Sequence, residues 1–176
     1  EQLDVRIRSL KQRYRRVWYL ADGVYSMHGD TLPFEEIQEL LDIHEQFYVY
    51  VDDAHGMSWA GKQGRGLTLY NMEYHPRMFL ITSLAKGFGT GGSALVCPNE
   101  KIRDYILFDG PPLIFSGPLT PPSLGAIIAS AKIHLSDEIR QKQHRLHKLI
   151  KYFIDVAEKY DLPLIAKSGT PIFFIP

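Results

Sequence analysis

Short apolar runs alternate with helical segments along this chain, and this alternation constrains the fold more than any other feature of the sequence. The patterns predict strands at residues 17–21, 48–52, 78–82 and 93–97. Strands that alternate with helices pair mainly in parallel, and the helices then cover both faces of the sheet. The predicted fold class is therefore α/β, a partial three-layer α/β/α arrangement around a mainly parallel sheet.

Helices are predicted from periodicity and from turn residues. Residues 1–15 have the pattern of the end of a helix, and the next helix begins near Pro33, because proline is tolerated in a first turn. Glu35 and Glu36 favour the same helix end through the helix dipole. The predicted inner face of this helix consists of Ile37, Leu40, Leu41, His44 and Phe47.

The second half of the chain is predicted to be largely helical. Residues 102–108 form one helix, residues 113–116 are extended, and a long helical region runs from Pro122 to about Tyr160 with a break near Ser136. The apolar stripe predicted for the last helix consists of Ile139, Leu146, Leu149, Phe153, Val156 and Tyr160.

Composition excludes several classes of function. Twenty basic and twenty acidic residues cancel, so neither nucleic acid nor an anionic membrane is indicated as a partner. The single cysteine, Cys97, excludes an internal disulfide and fits a reducing compartment such as the cytoplasm. The sequence contains neither a secretory signal nor an apolar run long enough to span a bilayer.

One lysine, Lys86, lies between an apolar run and a glycine-rich turn. Because residues 78–81 are apolar on both faces, they suit a buried strand, and Lys86 then follows the carboxyl end of that strand. Ligands of open α/β sheets bind at that edge, where a lysine amine can form a Schiff base with a carbonyl group. If Lys86 is considered without the rest of the sequence, a surface lysine is the simpler interpretation. The motifs that precede Lys86 favour a functional lysine instead.

A second motif brings acids and an imidazole to the same edge. Asp52, Asp53 and His55 follow the strand at residues 48–52. Three interpretations fit these side chains. They could face one ligand together with Lys86, they could bind a metal ion, or they could be solvated polar residues of a loop. Lys86 favours the first alternative over a metal, because its cation would be repelled at a metal site. An aldehyde cofactor with a protonated ring nitrogen needs both a lysine and an acid.

At this point the residues resemble a known family. The chain is similar to the α-oxoamine synthases, pyridoxal-phosphate enzymes of fold type I. The resemblance lies in five ordered blocks: Asp22-Gly23-Val24-Tyr25-Ser26-Met27-His28-Gly29-Asp30, Val51-Asp52-Asp53-Ala54-His55, Gly61-Lys62-Gln63-Gly64-Arg65-Gly66, Thr82-Ser83-Leu84-Ala85-Lys86-Gly87-Phe88-Gly89 and Phe115-Ser116. The family usually has aspartate where His28 stands and glutamate where Asp53 stands.

The resemblance implies a role for three residues in catalysis. Lys86 would form the Schiff base with pyridoxal phosphate and move protons at the substrate α-carbon. Asp52 would pair with the pyridinium nitrogen. A carboxylate about 4 Å from such a cation gains about 4 kcal/mol at an effective dielectric constant near 20, which keeps the ring protonated as an electron sink. His55 would contact the phenolic oxygen of the cofactor.

The same resemblance implies three hydroxyl groups in cofactor binding. Ser26 would touch the phenolic oxygen, and Ser83 would bind the phosphate, with Thr82 as the rival hydroxyl for that role. Ser116 would approach the phosphate held by a partner subunit, although a serine that ends a strand is an equal alternative.

The resemblance also implies an activity and an organisation. The predicted enzyme condenses an amino acid with an acyl-CoA and releases carbon dioxide, which gives an α-amino ketone. The alternatives are a fold type I aminotransferase and a non-catalytic regulatory subunit, although the regulatory relative lacks the lysine. Residues 1–135 would belong to the large cofactor domain and residues 136–176 to a linking helix and the start of the small domain. We expect a fragment that is inactive alone, from a homodimeric protein.

Overall fold

A computed structural model of the chain describes residues 1–165 and 169–176. Its strands are β1 (Val17–Asp22), β2 (Phe47–Asp52), β3 (Met78–Ser83) and β4 (Ser93–Val96). The α-helices of the described residues are α1 (Gln2–Leu10), α2 (Phe34–Ile43), α3 (Thr68–Asn71), α4 (Glu100–Asp109), α5 (Pro111–Ile114), α6 (Pro121–His134) and α7 (Glu138–Lys159). A 3₁₀ turn occupies Lys62–Gly64. Over the same residues, no helix is both long enough and apolar enough to span a bilayer.

The four strands form one sheet in the order β1-β2-β3-β4. β1 pairs with β2 and β2 pairs with β3 in parallel, whereas β4 runs antiparallel to β3. Each predicted strand matches an observed one to within a residue at either end. The predicted α/β class with a mainly parallel sheet is therefore confirmed.

One face of the sheet forms the hydrophobic core. Along β2, Phe47, Val49 and Val51 are completely buried, because alternate residues of a strand point to the same side. Ile37 and Leu41 of α2 pack against these side chains within one cluster. The apolar periodicity of α2 and the alternation of β2 thus bury complementary surfaces, which fixes the register of the strands.

The opposite face of the sheet is only partly covered by the described residues. Trp18 keeps 43% of its surface exposed and Leu20 keeps 69%. The Trp18 ring lies 5.0 Å from the ring of Tyr48 and 5.3 Å from that of Phe79, so this face carries an aromatic cluster. Helices were expected to cover both faces of the sheet. Within the described residues they cover only one.

Two details of the helical prediction are wrong. Residues 113–116 were expected to be extended, but Pro111–Ile114 form the short helix α5 after Gly110. Two consecutive prolines preset the backbone for a first helical turn, which overrides the apolar signal of the following residues. Phe47 was expected on the inner face of α2, but α2 ends at Ile43 and Phe47 opens β2.

The break near Ser136 is confirmed, whereas the buried stripe of α7 is rotated from the prediction. Ile139, Ile150 and Ala157 are the buried residues of α7, while Leu149 and Tyr160 are exposed. Ala157 lies 18 residues after Ile139, about five full turns, so the two share a face. Leu149 lies about 80° away from that face.

Replacing Leu41 with alanine should destabilise the protein by about 2–5 kcal/mol, because it empties a fully buried site in the core. The matched control is Ile43→Ala on the same helix, where 63% of the side chain is exposed and the expected cost is below about 0.5 kcal/mol. Urea unfolding followed by circular dichroism measures both. Equal losses in the two variants would contradict the assigned core.

Candidate active site at the carboxyl edge of the sheet

The three parallel strands end together at one edge of the sheet. Asp22 at the end of β1 is in register with Asp52 at the end of β2, and Asp52 is in register with Ile81 of β3. Residues in register point to the same side of a sheet, so the two carboxyl groups share a face. The predicted strand ended at residue 21, and Asp22 was given no role in the site. The matched ends of the two strands were the signal that could have placed it in the site.

The loop after β3 places the amine of Lys86 above this edge. The amide of Leu84 donates to the carbonyl of Gly92 at 2.9 Å, and the amide of Gly89 donates to the carbonyl of Lys86 at 2.9 Å. Gly89 has a φ of 79°, a conformation that favours glycine. Lys86 Nζ lies 2.6 Å from Nε2 of His55. The two residues predicted to act together are therefore in direct contact.

The protonation of His55 follows from its surroundings. Burial lowers the pKa of His55 below its ordinary value, and the neighbouring charge of Lys86 lowers it further. Asp22 and Asp52 act in the opposite direction. A lowered pKa favours the neutral imidazole at pH 7, so Nε2 can accept a hydrogen bond from the ammonium group of Lys86.

Asp52 and Asp53 point to opposite sides of the sheet, as consecutive residues at the end of a strand do. Asp52 is exposed, and its Oδ1 accepts a hydrogen bond from the amide of Ala54 at 2.9 Å. Asp53 is only 1% exposed, and its Oδ2 accepts from the amide of Thr68 at 3.1 Å. Asp52 is thus available to a ligand, whereas Asp53 belongs to the interior.

Three glycines make room for the Asp53 carboxyl group. A Cβ atom would lie 2.4 Å from Asp53 Oδ1 at Gly23, 2.1 Å from Oδ1 at Gly56 and 2.2 Å from Oδ2 at Gly66. These glycines lie in the segments after β1, after β2 and before α3. Asp53 is therefore the point where three segments of backbone meet.

Burial raises the pKa of Asp53 to about 6 and outweighs the opposing hydrogen bond from the Thr68 amide. Within the described residues, neither Asp53 Oδ1 nor the Thr68 hydroxyl has a hydrogen-bond partner of ordinary geometry, but the Thr68 hydroxyl lies close enough to lower the pKa of Asp53 in part. An acid held in this environment is partly protonated near neutral pH, which reduces the cost of burying its charge.

The two hydroxyl groups that are candidates for binding the phosphate, those of Thr82 and Ser83, lie on opposite faces of the sheet. Thr82 continues the core face of β3, and its hydroxyl donates to the carbonyl of Asp53 at 3.4 Å. Ser83 continues the other face, on the same side as Asp52, and its hydroxyl accepts from the amide of Ala85 at 3.1 Å. The alternation of the strand therefore favours Ser83 as the group that faces the site.

The other two predicted hydroxyls lie in exposed positions. Ser26 lies in a turn closed by a hydrogen bond from the amide of Gly29 to the carbonyl of Tyr25. Ser116 follows α5, and its hydroxyl donates to the carbonyl of Leu113 at 3.3 Å. The described contacts do not bring Ser116 to Lys86, and its action across subunits stays a prediction.

A cavity of about 350 Å³ opens beside Lys86 and His55. Its remaining walls come from the segment after β2, from the loop after β3, from α7 and from the end of the chain: Ala54, Met57, Ser58, Trp59, Gly87, Ile139, Lys142, Gln143, Leu146, Pro171 and Ile172. Sequence reasoning did not connect α7 with the site. A helix about 50 residues after the lysine gives no local signal of this packing.

The end of the chain closes over the turn that carries Ser26. The hydroxyl of Thr170 donates to the carbonyl of Gly29 at 2.9 Å. The ring of His28 makes an edge contact with Phe174 at 5.1 Å. His28, which replaces the usual family aspartate, therefore packs against an aromatic ring.

The metal alternative has no geometric support in the part of the chain that the structure describes. Asp52 and Asp53 diverge, and among these residues no group of three or more His, Cys, Asp or Glu side chains could hold a metal ion.

Comparison with known proteins places this geometry in a family. The profile described as aminotransferase class I and II matches residues 1–176. The chain belongs to that family. Among curated relatives, the 8-amino-7-oxononanoate synthase of Salmonella newport is 37% identical over 134 residues, which is 76% of this chain and 34% of that protein. The chain thus spans about a third of the length of the curated relatives it matches.

Solved structures of other proteins share the fold of this chain. A serine palmitoyltransferase from S. paucimobilis superposes with a TM-score of 0.81 at 24% identity, covering 97% of this chain and 42% of that one. An 8-amino-7-oxononanoate synthase from Francisella tularensis gives 0.72 at 26% identity, covering 95% of this chain and 48% of that one. The α-oxoamine synthase resemblance of the sequence is therefore confirmed.

The raised pKa of Asp53 predicts a pH dependence of stability. Below about pH 4 both states hold the proton, and between about pH 4 and 6 the unfolded state releases it first, so the free energy of unfolding falls. The total loss is on the order of 3 kcal/mol for a shift of about two pH units. Asp53→Asn should remove this fall, because its amide does not ionise and can donate to the Thr68 hydroxyl.

Urea midpoints of the cofactor-free protein between pH 4 and 7.5 measure this effect. The control is Asp155→Asn on the exposed side of α7, which should keep the wild-type slope. A wild-type slope in Asp53→Asn would contradict the assigned protonation.

Proposed function

We propose that this chain carries the cofactor site of a pyridoxal-phosphate-dependent α-oxoamine synthase. The enzyme condenses an amino acid with an acyl-CoA and releases carbon dioxide to give an α-amino ketone. The observation that carries the proposal is the pairing of Lys86 Nζ with His55 Nε2 at 2.6 Å, at the sheet edge where Asp52 is exposed. Family membership and the names of the relatives support the same activity.

The donor set of this edge fits pyridoxal phosphate. Lys86 supplies an amine for the aldehyde of the cofactor, and Asp52 supplies an exposed carboxylate for its ring nitrogen. His55 and Ser26 supply groups for its phenolic oxygen, and the hydroxyl of Ser83 serves its phosphate. When bound, the cofactor supplies an electron sink for the bond that breaks at the substrate α-carbon.

Each side chain of the site has a separate role in the proposed reaction. Lys86 Nζ would hold the aldehyde of the cofactor and, once the substrate amine has displaced it, would hold or deliver the proton of the substrate α-carbon. The neutral imidazole of His55 orients Lys86 by accepting its hydrogen bond on Nε2. Asp52 would hold the ring nitrogen and keep its proton in place by charge attraction, and the amide of Ala54 fixes the direction of the Asp52 carboxylate.

We further propose a cytoplasmic homodimer with the domain boundary near residue 135. The gap between α6, which ends at His134, and α7, which begins at Glu138, supports that boundary. Exposed apolar side chains on the segment from α4 to α6 support a contact with a second subunit, since Phe115 keeps 90% of its surface exposed. Ser116 follows directly and would reach the phosphate of the partner.

Two other functions use parts of the same site. An aminotransferase shares the lysine and the aspartate, and a regulatory subunit keeps the fold without the lysine. The presence of Lys86 beside His55 argues against the regulatory subunit.

The reaction products distinguish the synthase hypothesis from the aminotransferase hypothesis. We expect the full-length protein, given amino acid and acyl-CoA, to release free coenzyme A and carbon dioxide in equal amounts, measured by thiol assay and by isotope release. A keto acid formed without coenzyme A release would show transamination and contradict the synthase assignment.

Borohydride reduction in the presence of pyridoxal phosphate should attach the cofactor to Lys86, because only an amine in covalent contact with the aldehyde is trapped. Peptide mapping by mass spectrometry locates the label in the full-length protein and in the 176-residue chain, and we expect the label only in the full-length protein. Lys86→Ala should lose both label and turnover. Lys11→Ala, at an exposed position just after α1, is the control that retains both. Normal turnover in Lys86→Ala would overturn the proposal.

A further inference from the structure

The two residues after Lys86 are held by a buried cluster that the proposed chemistry does not use. Phe88 is buried, and its ring stacks on the ring of His134 with centroids 4.5 Å apart. The carbonyl of Phe88 accepts a hydrogen bond from the Ser130 hydroxyl at 2.5 Å. The last turn of α6 is therefore fastened to the loop that carries the lysine.

The hydrogen bonds of His134 define its tautomer. Nδ1 lies 2.8 Å from the carbonyl oxygen of Ser130, which can only accept, so Nδ1 carries the proton. Nε2 then accepts from the hydroxyl of Ser58 at 2.9 Å. Both nitrogens of this buried ring are thus satisfied, one within α6 and the other across to the segment after β2.

Ser58 is held in an unfavourable backbone conformation. Its φ is 78°, in the left-handed region that non-glycine residues seldom adopt, and the residue is buried. Its amide donates to the carbonyl of Gly64 at 2.8 Å, and a Cβ on Gly64 would lie 2.8 Å from Cδ2 of His134. The surroundings of His134 thus hold Ser58 in place.

Ser58 and its neighbour Met57 form the wall against which the lysine loop rests. A Cβ on Gly87 would lie 2.7 Å from the carbonyl oxygen of Met57 and 3.3 Å from Cβ of Ser58. The residue next to Lys86 therefore touches the strained segment directly. The contacts run without a gap from His134 to Lys86, through Ser58 and Gly87 on one path and through Phe88 on the other.

We propose that His134 is a positioning residue for Lys86. His134 contacts neither the amine of Lys86 nor the carboxyl edge of the sheet. It holds Gly87 and Phe88 against Ser58, and this packing keeps Lys86 Nζ within reach of His55 Nε2. The inference deepens the proposed function of Lys86 and rests on it. A histidine that only filled the core would leave the mobility and reactivity of the lysine loop unchanged when replaced.

The test uses the full-length protein without cofactor, so that it is independent of turnover. His134→Leu removes the acceptor at similar volume and leaves the buried Ser58 hydroxyl unpaired. We expect hydrogen exchange of the amides in residues 84–92 to become about tenfold faster. We also expect the rate of reductive methylation at Lys86 to change at least twofold, with Lys101 as the internal reference.

Three further variants sharpen the test. His134→Gln can still accept a hydrogen bond from the Ser58 hydroxyl. It should therefore return the exchange rate of residues 84–92 and the methylation rate of Lys86 most of the way to their wild-type values. Ser58→Ala removes the donor without altering the histidine and should reproduce the faster exchange, so the proposal stays testable if His134→Leu does not fold. His144→Leu, on the exposed side of α7, is the matched control and should leave both readouts at wild-type values.

With cofactor and substrates, His134→Leu should lower kcat about tenfold while the KM of each substrate stays within about twofold, since the clamp positions the lysine and not the substrates. Wild-type exchange in residues 84–92 together with wild-type reactivity of Lys86, in His134→Leu or in Ser58→Ala, would overturn the proposal. Absence of borohydride labelling at Lys86 in the wild type would instead overturn the proposed function, because the exchange experiment does not involve the cofactor.

Discussion

The buried carboxyl group of Asp53 is the interaction on which the geometry of the candidate site depends. It is enclosed where three backbone segments meet, and each of them approaches so closely that only glycine fits. The free energy needed to bury an acid is reduced by the Thr68 amide and by partial protonation. Because Asp53 points inward, strand alternation turns Asp52 outward to the ligand edge.

The lysine loop is held on both sides of Lys86. At the carboxyl edge of the sheet the amine contacts His55, which lies in the turn that begins at Asp53. On the interior side Phe88 stacks on His134, and Gly87 rests against Met57 and Ser58. Catalytic loops gain their precision from such support by rigid elements, here the ends of β2 and α6. The positive φ of Ser58 is part of this support, since local strain persists only where surrounding contacts over-determine it.

Local patterns were sufficient for the strands. The apolar residues of β2 and β3 and the polar residues at their ends predicted both the parallel sheet and the edge at which Asp52 is exposed and His55 contacts Lys86. Local patterns failed where packing competes with them. The extended prediction for residues 113–116 missed the effect of two prolines, and the stripe on α7 was rotated because several apolar positions were compatible with one periodicity. The roles of all the predicted site residues remain predictions: Lys86, Asp52, His55, Ser26, Ser83 and Ser116.

The sequence by itself determined the α/β class and the positions of the four strands, because these follow from periodicity, and its motifs singled out Lys86 as the candidate reactive lysine. Only the tertiary structure decided that Asp53 is buried while Asp52 is exposed, that Ser83 and not Thr82 shares the face of Asp52, and that α6 and α7 pack behind the candidate site. Those relations join residues between about 30 and 85 positions apart, and contacts over such separations depend on how the elements pack and not on any local pattern of the chain.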